Sequence, residues 1–235
     1  MELSKYFEEH FKEKPFIVPP EIGNPDEFPY LQKLKSNIKV NEDKTTRDEI
    51  ISAMKSFKNG KCKGSLGIFS ENIKYANLDI LVDTLTTLIG RIWDGENEPE
   101  DWKVTETTTI FKNKGSRTEA KNYRGISVSS TISKLVPKII MNRLNDAYEQ
   151  MLSKNQYGFR QNRSTTDAIF VLKNVLKKKS CPLIAVFIDL KAAYDWVPRE
   201  ALLKVIEFRT GASKIVNIIR ESFRGTQAKI KGSKT

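Results

Sequence analysis

The stretch Phe187-Ile188-Asp189-Leu190-Lys191-Ala192-Ala193-Tyr194-Asp195-Trp196-Val197 begins in the last two residues of an unbroken apolar run that starts at Pro182 and ends at Ile188 (PLIAVFI). A short continuous apolar run flanked by polar residues predicts a strand buried on both faces. Asp189 then stands at the mouth of that strand. A carboxylate on the end of a rigid element can face solvent or a hard divalent cation, which prefers carboxylate and carbonyl oxygens. Taken alone, a strand-terminal Asp is more often a turn former or helix cap than a metal ligand, so the flanking sequence decides its meaning.

Upstream, Ser164 and Asp167 predict the cap of a helix with Ile169, Leu172, Val175 and Leu176 on its core face, closing in Lys177-Lys178-Lys179. Before it lies a basic loop over 155–163 (NQYGFRQNR). A helical stripe precedes that loop, through Ile132, Leu135, Val136, Ile139, Ile140, Leu144, Ala147, Tyr148 and Met151, with Pro137 either kinking the helix or marking its first turn. Residues 104–111 (VTETTTIF) alternate and are β-branched, and 123–128 read as a second strand, so 104–128 are predicted to form a long-looped hairpin. Thr46 and Glu49 predict a capping box opening a helix whose buried face is Ile50, Met54 and Phe57, ending near Asn59-Gly60. A basic glycine loop, 60–67, follows, and then a mostly helical stretch to about Trp93. Towards the N-terminus, residues 1–13 predict a short amphipathic helix, and five prolines within 15–30 an extended linker. Downstream of the opening stretch, Pro198 opens a helix ended by Gly211, a further helix runs from about Ser213 to Phe223, and 227–231 could start a strand.

Charge narrows the function. The chain of 235 residues carries a formal net charge of +11. Residues 1–50 are net −3 and residues 51–235 net +14, so the body of the protein is the basic part. A polyanionic partner is the natural expectation. No apolar run approaches a membrane span, and the charged start predicts no secretory leader. Two distant cysteines, Cys62 and Cys181, give neither a disulfide framework nor zinc spacing and suit a reducing, intracellular setting in cytoplasm or nucleus. A single histidine, His10, argues against histidine metal sites and Ser-His-Asp triads.

With these pieces in order, 187–197 resembles the first palm motif of reverse transcriptases, in the non-LTR (LINE-type) retrotransposon branch, where the family reads F-I-D-(F/L)-K-K-A-F-D-x-V. Residues 156–169 (QYGFRQNRSTTDAI) are similar to the family's Q-x-G-F-R-x-G-R-S-T-x-D-A-I. Residues 122–128 (NYRGISV) resemble N-Y-R-P-I-S-L, 111–115 (FKNKG) its lysine-rich turn, and 60–68 its G-K-A-P-G-P-D-G-I loop. The matches fall in family order over roughly 45–235.

The resemblance implies an RNA-directed DNA polymerase, a metal-dependent nucleotidyltransferase acting on RNA template, DNA primer and deoxynucleoside triphosphates with Mg²⁺ or Mn²⁺. It implies an α+β fold: right-hand polymerase fingers plus a partial palm, mostly helical, with a fingers hairpin and an incomplete antiparallel palm sheet. The expected division is an acidic extension and linker over 1–44, fingers and connecting helices over 45–180, and partial palm over 181–235. Asp189 would be a catalytic, metal-binding aspartate and the Leu190 carbonyl a further metal ligand. Tyr194 would fall at the sugar gate, against a 2′-OH. Asp195 would support or cap. Lys112 and Arg124 would meet the triphosphate, with Lys114 as an alternative to Lys112. Arg160 and Arg163 are candidates for template or nucleotide contact, or for capping the helix that follows.

Four departures stand out. Leu66 and Lys63 replace the glycine loop's Asp and first Pro, Gly125 replaces a Pro after Arg124, Asn162 replaces a Gly in the arginine loop, and Pro137 interrupts a helix. The 235 residues also contain no adjacent Asp-Asp pair, so the second catalytic motif of the family is not among them. One carboxylate cannot hold two metals in line, and the chain by itself is expected to be inactive. The rival expectation is a non-catalytic nucleic-acid-binding remnant of a retrotransposon.

Overall fold

The computed structural model describes residues 5–7, 9, 38–64, 66–76, 78–177, 183–190 and 193–230. The amphipathic helix expected over 1–13 and the proline-rich linker over 15–30 lie largely outside them, as do Lys178 and Lys179 of the lysine run.

Helix α1 (Arg47–Lys55) starts on the expected capping box. The Thr46 hydroxyl accepts the Glu49 N–H at 3.3 Å, and the Glu49 carboxylate accepts the Thr46 N–H at 2.9 Å. Ile50, Ala53 and Met54 are buried, with Phe57 packed partly against them. The helix stops at Lys55, four residues before the expected Asn59-Gly60. Short helix α2 (Ser70–Lys74) and long helix α3 (Leu78–Trp93) follow, and Val82, Leu85, Ile89 and Trp93 of α3 pack on α1.

Helix α4 (Leu135–Met151) is the third side of this core. Its buried residues, Leu135, Val136, Ile139, Ile140, Leu144 and Ala147, are those of the expected stripe. Pro137 sits in the first turn, where its missing N–H would have no intrahelical acceptor anyway, so the helix is not broken. Each fully buried Ile or Leu here contributes about 1.5–3 kcal/mol. Helices α6 (Arg199–Thr210) and α7 (Ser213–Phe223) join the same core through Leu203, Ile206, Ile215 and Val216. Gly211, at φ +68°, makes the tight left-handed stop between them.

Strands β1 (Val104–Phe111) and β2 (Tyr123–Val128) form the expected antiparallel hairpin, in register from Glu106 opposite Val128 to Phe111 opposite Tyr123. Strand β3 (Gln227–Ile230) adds to the other side of β1 in parallel, from Val104 opposite Gln227 to Thr107 opposite Ile230. The sheet order is β2-β1-β3. Thr107, on the central strand, is fully buried, and its hydroxyl shares a 2.8 Å hydrogen bond with that of Ser127. The fold is therefore mixed helix and sheet with one small three-stranded sheet among the described residues.

Two expectations are corrected. Residues 183–190 form no strand, and Ile184, Val186, Phe187 and Ile188 are all more than three-quarters exposed. Helix α5 (Thr165–Lys177) forms, but none of its residues is buried; Ile169, Val175 and Leu176 are exposed and Leu172 only half-buried. A strand apolar on both faces needs neighbours to pair with and layers to cover it. Among the described residues neither 183–190 nor the apolar stripe of α5 has such a neighbour, so the pattern is present without the packing.

Candidate functional site

The hairpin collects cations on one side. Arg124 lies directly opposite Ile110, and Lys112, two residues beyond Ile110, extends the ladder by donating its N–H to Asn122 O at 2.8 Å. Residues opposite each other or two apart share a face. Lys112 and Arg124 therefore share the face on which Thr108, Ile110 and Ile126 are also exposed, while Thr107 lies on the covered face. Among the described residues Arg124 makes no ion pair, and the Lys112 ammonium donates to Lys121 O at 2.7 Å. The hairpin tip is stitched by Asn122, whose side chain donates to Ser116 O at 2.8 Å, and by the Tyr123 hydroxyl, which donates to Arg117 O at 2.9 Å. Lys114 is exposed on that tip.

The glycine loop docks against the end of β2. A Cβ at Gly64 would come within 2.4 Å of Ser129 O, so no other residue fits without backbone movement. The Thr131 hydroxyl donates to Ile68 O at 2.7 Å and pins the far end of the same loop. Exposed Lys61 and Lys63 are thereby carried beside the hairpin's base. Of the two departures in this loop, Lys63 and Leu66, neither disturbs this docking, which uses Gly64 and the Ile68 carbonyl. Gly125, the departure in the second hairpin strand, pairs opposite Thr109 without interrupting β2.

The arginine loop is built around Arg160. Its side chain is turned inward: Nε donates to Glu149 Oε1 at 3.1 Å, Nη1 to Ser153 O at 2.8 Å and to Gln156 O at 3.2 Å, and Nη2 to Glu149. Hydrogen bonding from Arg160 holds the Glu149 carboxyl below its ordinary value. Arg163 instead lies over the Tyr157 ring at 5.7 Å. The cap of α5 belongs to Ser164 and Asp167, with Ser164 N–H to Asp167 Oδ2 at 2.7 Å, and the Ser164 hydroxyl lowers the Asp167 pKa. Asn162 has φ +56°. A left-handed backbone explains a glycine at this position of the family motif, and Asn is the non-glycine residue that tolerates it best. Phe159 is also left-handed, at φ +60°, and sequence reasoning did not single it out.

Asp189 and Leu190 are exposed in a segment without regular secondary structure, ahead of a 3-10 turn over Ala193–Trp196. No group of three or more His, Cys, Asp or Glu able to hold a metal occurs among the described residues. A carboxylate and a backbone carbonyl are donor types that suit a hard divalent cation. Tyr194, within the turn, is exposed and meets the Phe159 ring edge-to-face at 6.1 Å, which joins the arginine loop to the aspartate segment. Among the described residues no helix is long and apolar enough to cross a membrane.

Residues 110–235 match the family described as reverse transcriptase (RNA-dependent DNA polymerase). The chain is 30% identical over 167 residues to the Drosophila melanogaster protein named "Probable RNA-directed DNA polymerase from transposon BS", covering 68% of this chain and 18% of that protein. It is 25% identical over 132 residues to the D. melanogaster "RNA-directed DNA polymerase from mobile element jockey", covering 53% and 14%. The chain thus spans less than a fifth of the length of either relative. The protein belongs to the reverse transcriptase (RNA-dependent DNA polymerase) family, in its LINE-type, non-LTR retrotransposon branch.

Proposed function

We propose that the chain forms the fingers, over 45–180, and the first part of the palm, over 181–235, of an RNA-directed DNA polymerase that takes RNA template, DNA primer and deoxynucleoside triphosphates. The observation that supports this most is the hairpin register, by which Lys112 and Arg124 share one exposed face. Arg124 would grip phosphate oxygens through its planar fork, and Lys112 would supply a compact charge. Asp189 and the Leu190 carbonyl would hold a divalent ion, Mg²⁺ or Mn²⁺, which when bound neutralises triphosphate charge and activates the attacking oxygen. The Tyr194 ring would lie under the incoming sugar and exclude a 2′-OH. Arg163 is the arginine-loop cation better disposed to template, since Arg160 is spent on Glu149 and two carbonyls. The 235 residues alone do not extend a primer, because one carboxylate cannot align two metals.

The test is binding of a deoxynucleoside triphosphate with Mg²⁺ by the whole chain already bound to an RNA–DNA template–primer, at several salt concentrations. Each of Lys112→Ala and Arg124→Ala should weaken nucleotide binding and lessen its salt dependence while leaving template–primer affinity unchanged. Nucleotide binding unchanged in both variants would remove the hairpin from the triphosphate site.

A further inference from the structure

We propose that Phe159, backed by Tyr194, is a stacking platform for an unpaired base of the bound nucleic acid; this rests on the nucleic-acid reading of the site above. Phe159 is 94% exposed, more than any other large hydrophobic residue described. It is also held on a left-handed backbone, φ +60°, that a bulky side chain rarely adopts. Such a conformation persists only where its surroundings enforce it. Here they do: Arg160 fixes the Ser153 and Gln156 carbonyls, and the Gln156 side chain donates to Gly158 O at 3.1 Å. The loop therefore presents the ring to solvent on a fixed mount.

Two features specify what the ring takes. The Phe159 and Tyr194 rings meet at an interplanar angle of 86°. That edge-to-face contact braces Phe159 while leaving most of its surface open. The loop from Lys154 through Arg163 carries three cations; Arg160 is paired with Glu149, which leaves Lys154 and Arg163, the latter over the Tyr157 ring. An open aromatic face beside these two cations suits a ligand that is flat and apolar in one part and anionic in another. An unpaired nucleotide is such a ligand, and aromatic residues interleaved with basic ones are the usual device for gripping single strands.

The experiment is fluorescence anisotropy of the whole chain with a fluorescein-labelled single-stranded RNA of roughly 12 nucleotides, with inorganic polyphosphate as a probe that has charge but no bases. Phe159→Ala should weaken RNA binding about ten-fold, leave polyphosphate affinity and the salt slope unchanged, and be rescued by Phe159→Trp. Phe159→Gly should weaken RNA binding as well, while raising the unfolding temperature by releasing the left-handed strain; a merely structural Phe would lower both. RNA binding unchanged in Phe159→Ala, or RNA and polyphosphate weakened equally, overturns the proposal and leaves the nucleic-acid function standing. If the unaltered chain binds neither probe, the functional reading falls and this inference falls with it.

Discussion

Replacing Arg143 by Met tests the packing that fixes the whole helical body. The Arg143 side chain is 4% exposed. Nε and Nη2 donate to the two Glu49 oxygens at 2.7 and 2.8 Å. Nη1 donates to Asn41 O at 3.0 Å and Asp43 O at 2.7 Å, and the guanidinium lies 4.8 Å from the Trp93 ring centre. One side chain therefore ties α4 to the start of α1, to the segment before it and to α3. Glu49 is 30% exposed and keeps the Thr46 N–H, so removing the guanidinium does not strand a buried charge; the lost charged hydrogen bonds cost about 2–3 kcal/mol. For a chain of this size each kcal/mol moves the midpoint by about 2–4 °C, so Arg143→Met should lower it by roughly 5–10 °C. Glu49→Gln keeps an acceptor for Arg143 and for Thr46, and should cost less, about 1–2 kcal/mol. Hydrogen bonding from Arg143 lowers the Glu49 pKa in the folded state. The stabilisation this carboxylate supplies is therefore full above its ordinary value of 4.5 and is lost as pH falls through the lower folded-state value. Urea unfolding followed by circular dichroism, at neutral pH and at about pH 3, measures both effects. An Arg143→Met cost below about 1 kcal/mol, or a Glu49→Gln cost that does not shrink in acid, refutes the reasoning.

Other outcomes follow from the loops. Gly64→Ala should cost about 2 kcal/mol or more, read by thermal unfolding, because the added Cβ meets the Ser129 carbonyl; an unaffected midpoint would mean that the glycine loop does not dock there. At Asn162, with φ +56°, replacement by Gly should be neutral or stabilising and replacement by Val should cost about 1–2 kcal/mol; equal midpoints for the two would deny the left-handed backbone.

How far the sequence foretold this can be judged element by element. The capping boxes at Thr46 and Ser164, the hairpin and the stripe of α4 are set by local chemistry, and local chemistry is what a sequence displays. The apolar run 183–188 and the stripe of α5 were just as legible, yet the layers that would cover them are not among the described residues, so pattern and packing part company there. The parallel pairing of β3 with β1 joins residues more than a hundred positions apart, and nothing in Gln227–Ile230 names its partner. At the site, Asp189, Tyr194, Lys112 and Arg124 were visible as motif residues. The inward turn of Arg160 was not, because its acceptors are Glu149 and two backbone carbonyls, which no motif records. Phe159 was hidden for a similar reason: its significance lies in a backbone angle and in its exposure.

The most direct test of the account is metal-directed cleavage. Fe²⁺ substitutes for Mg²⁺ in the presence of template–primer and a deoxynucleoside triphosphate, and on addition of hydrogen peroxide and ascorbate the hydroxyl radicals formed at the iron cut the polypeptide beside the bound ion. The account predicts cuts next to Asp189 and Leu190 that require the nucleotide and disappear in Asp189→Asn, with template–primer affinity retained. Cuts elsewhere, or cuts at 189–190 that persist in Asp189→Asn, would contradict the claim that this aspartate is the metal-holding carboxylate of a reverse transcriptase site.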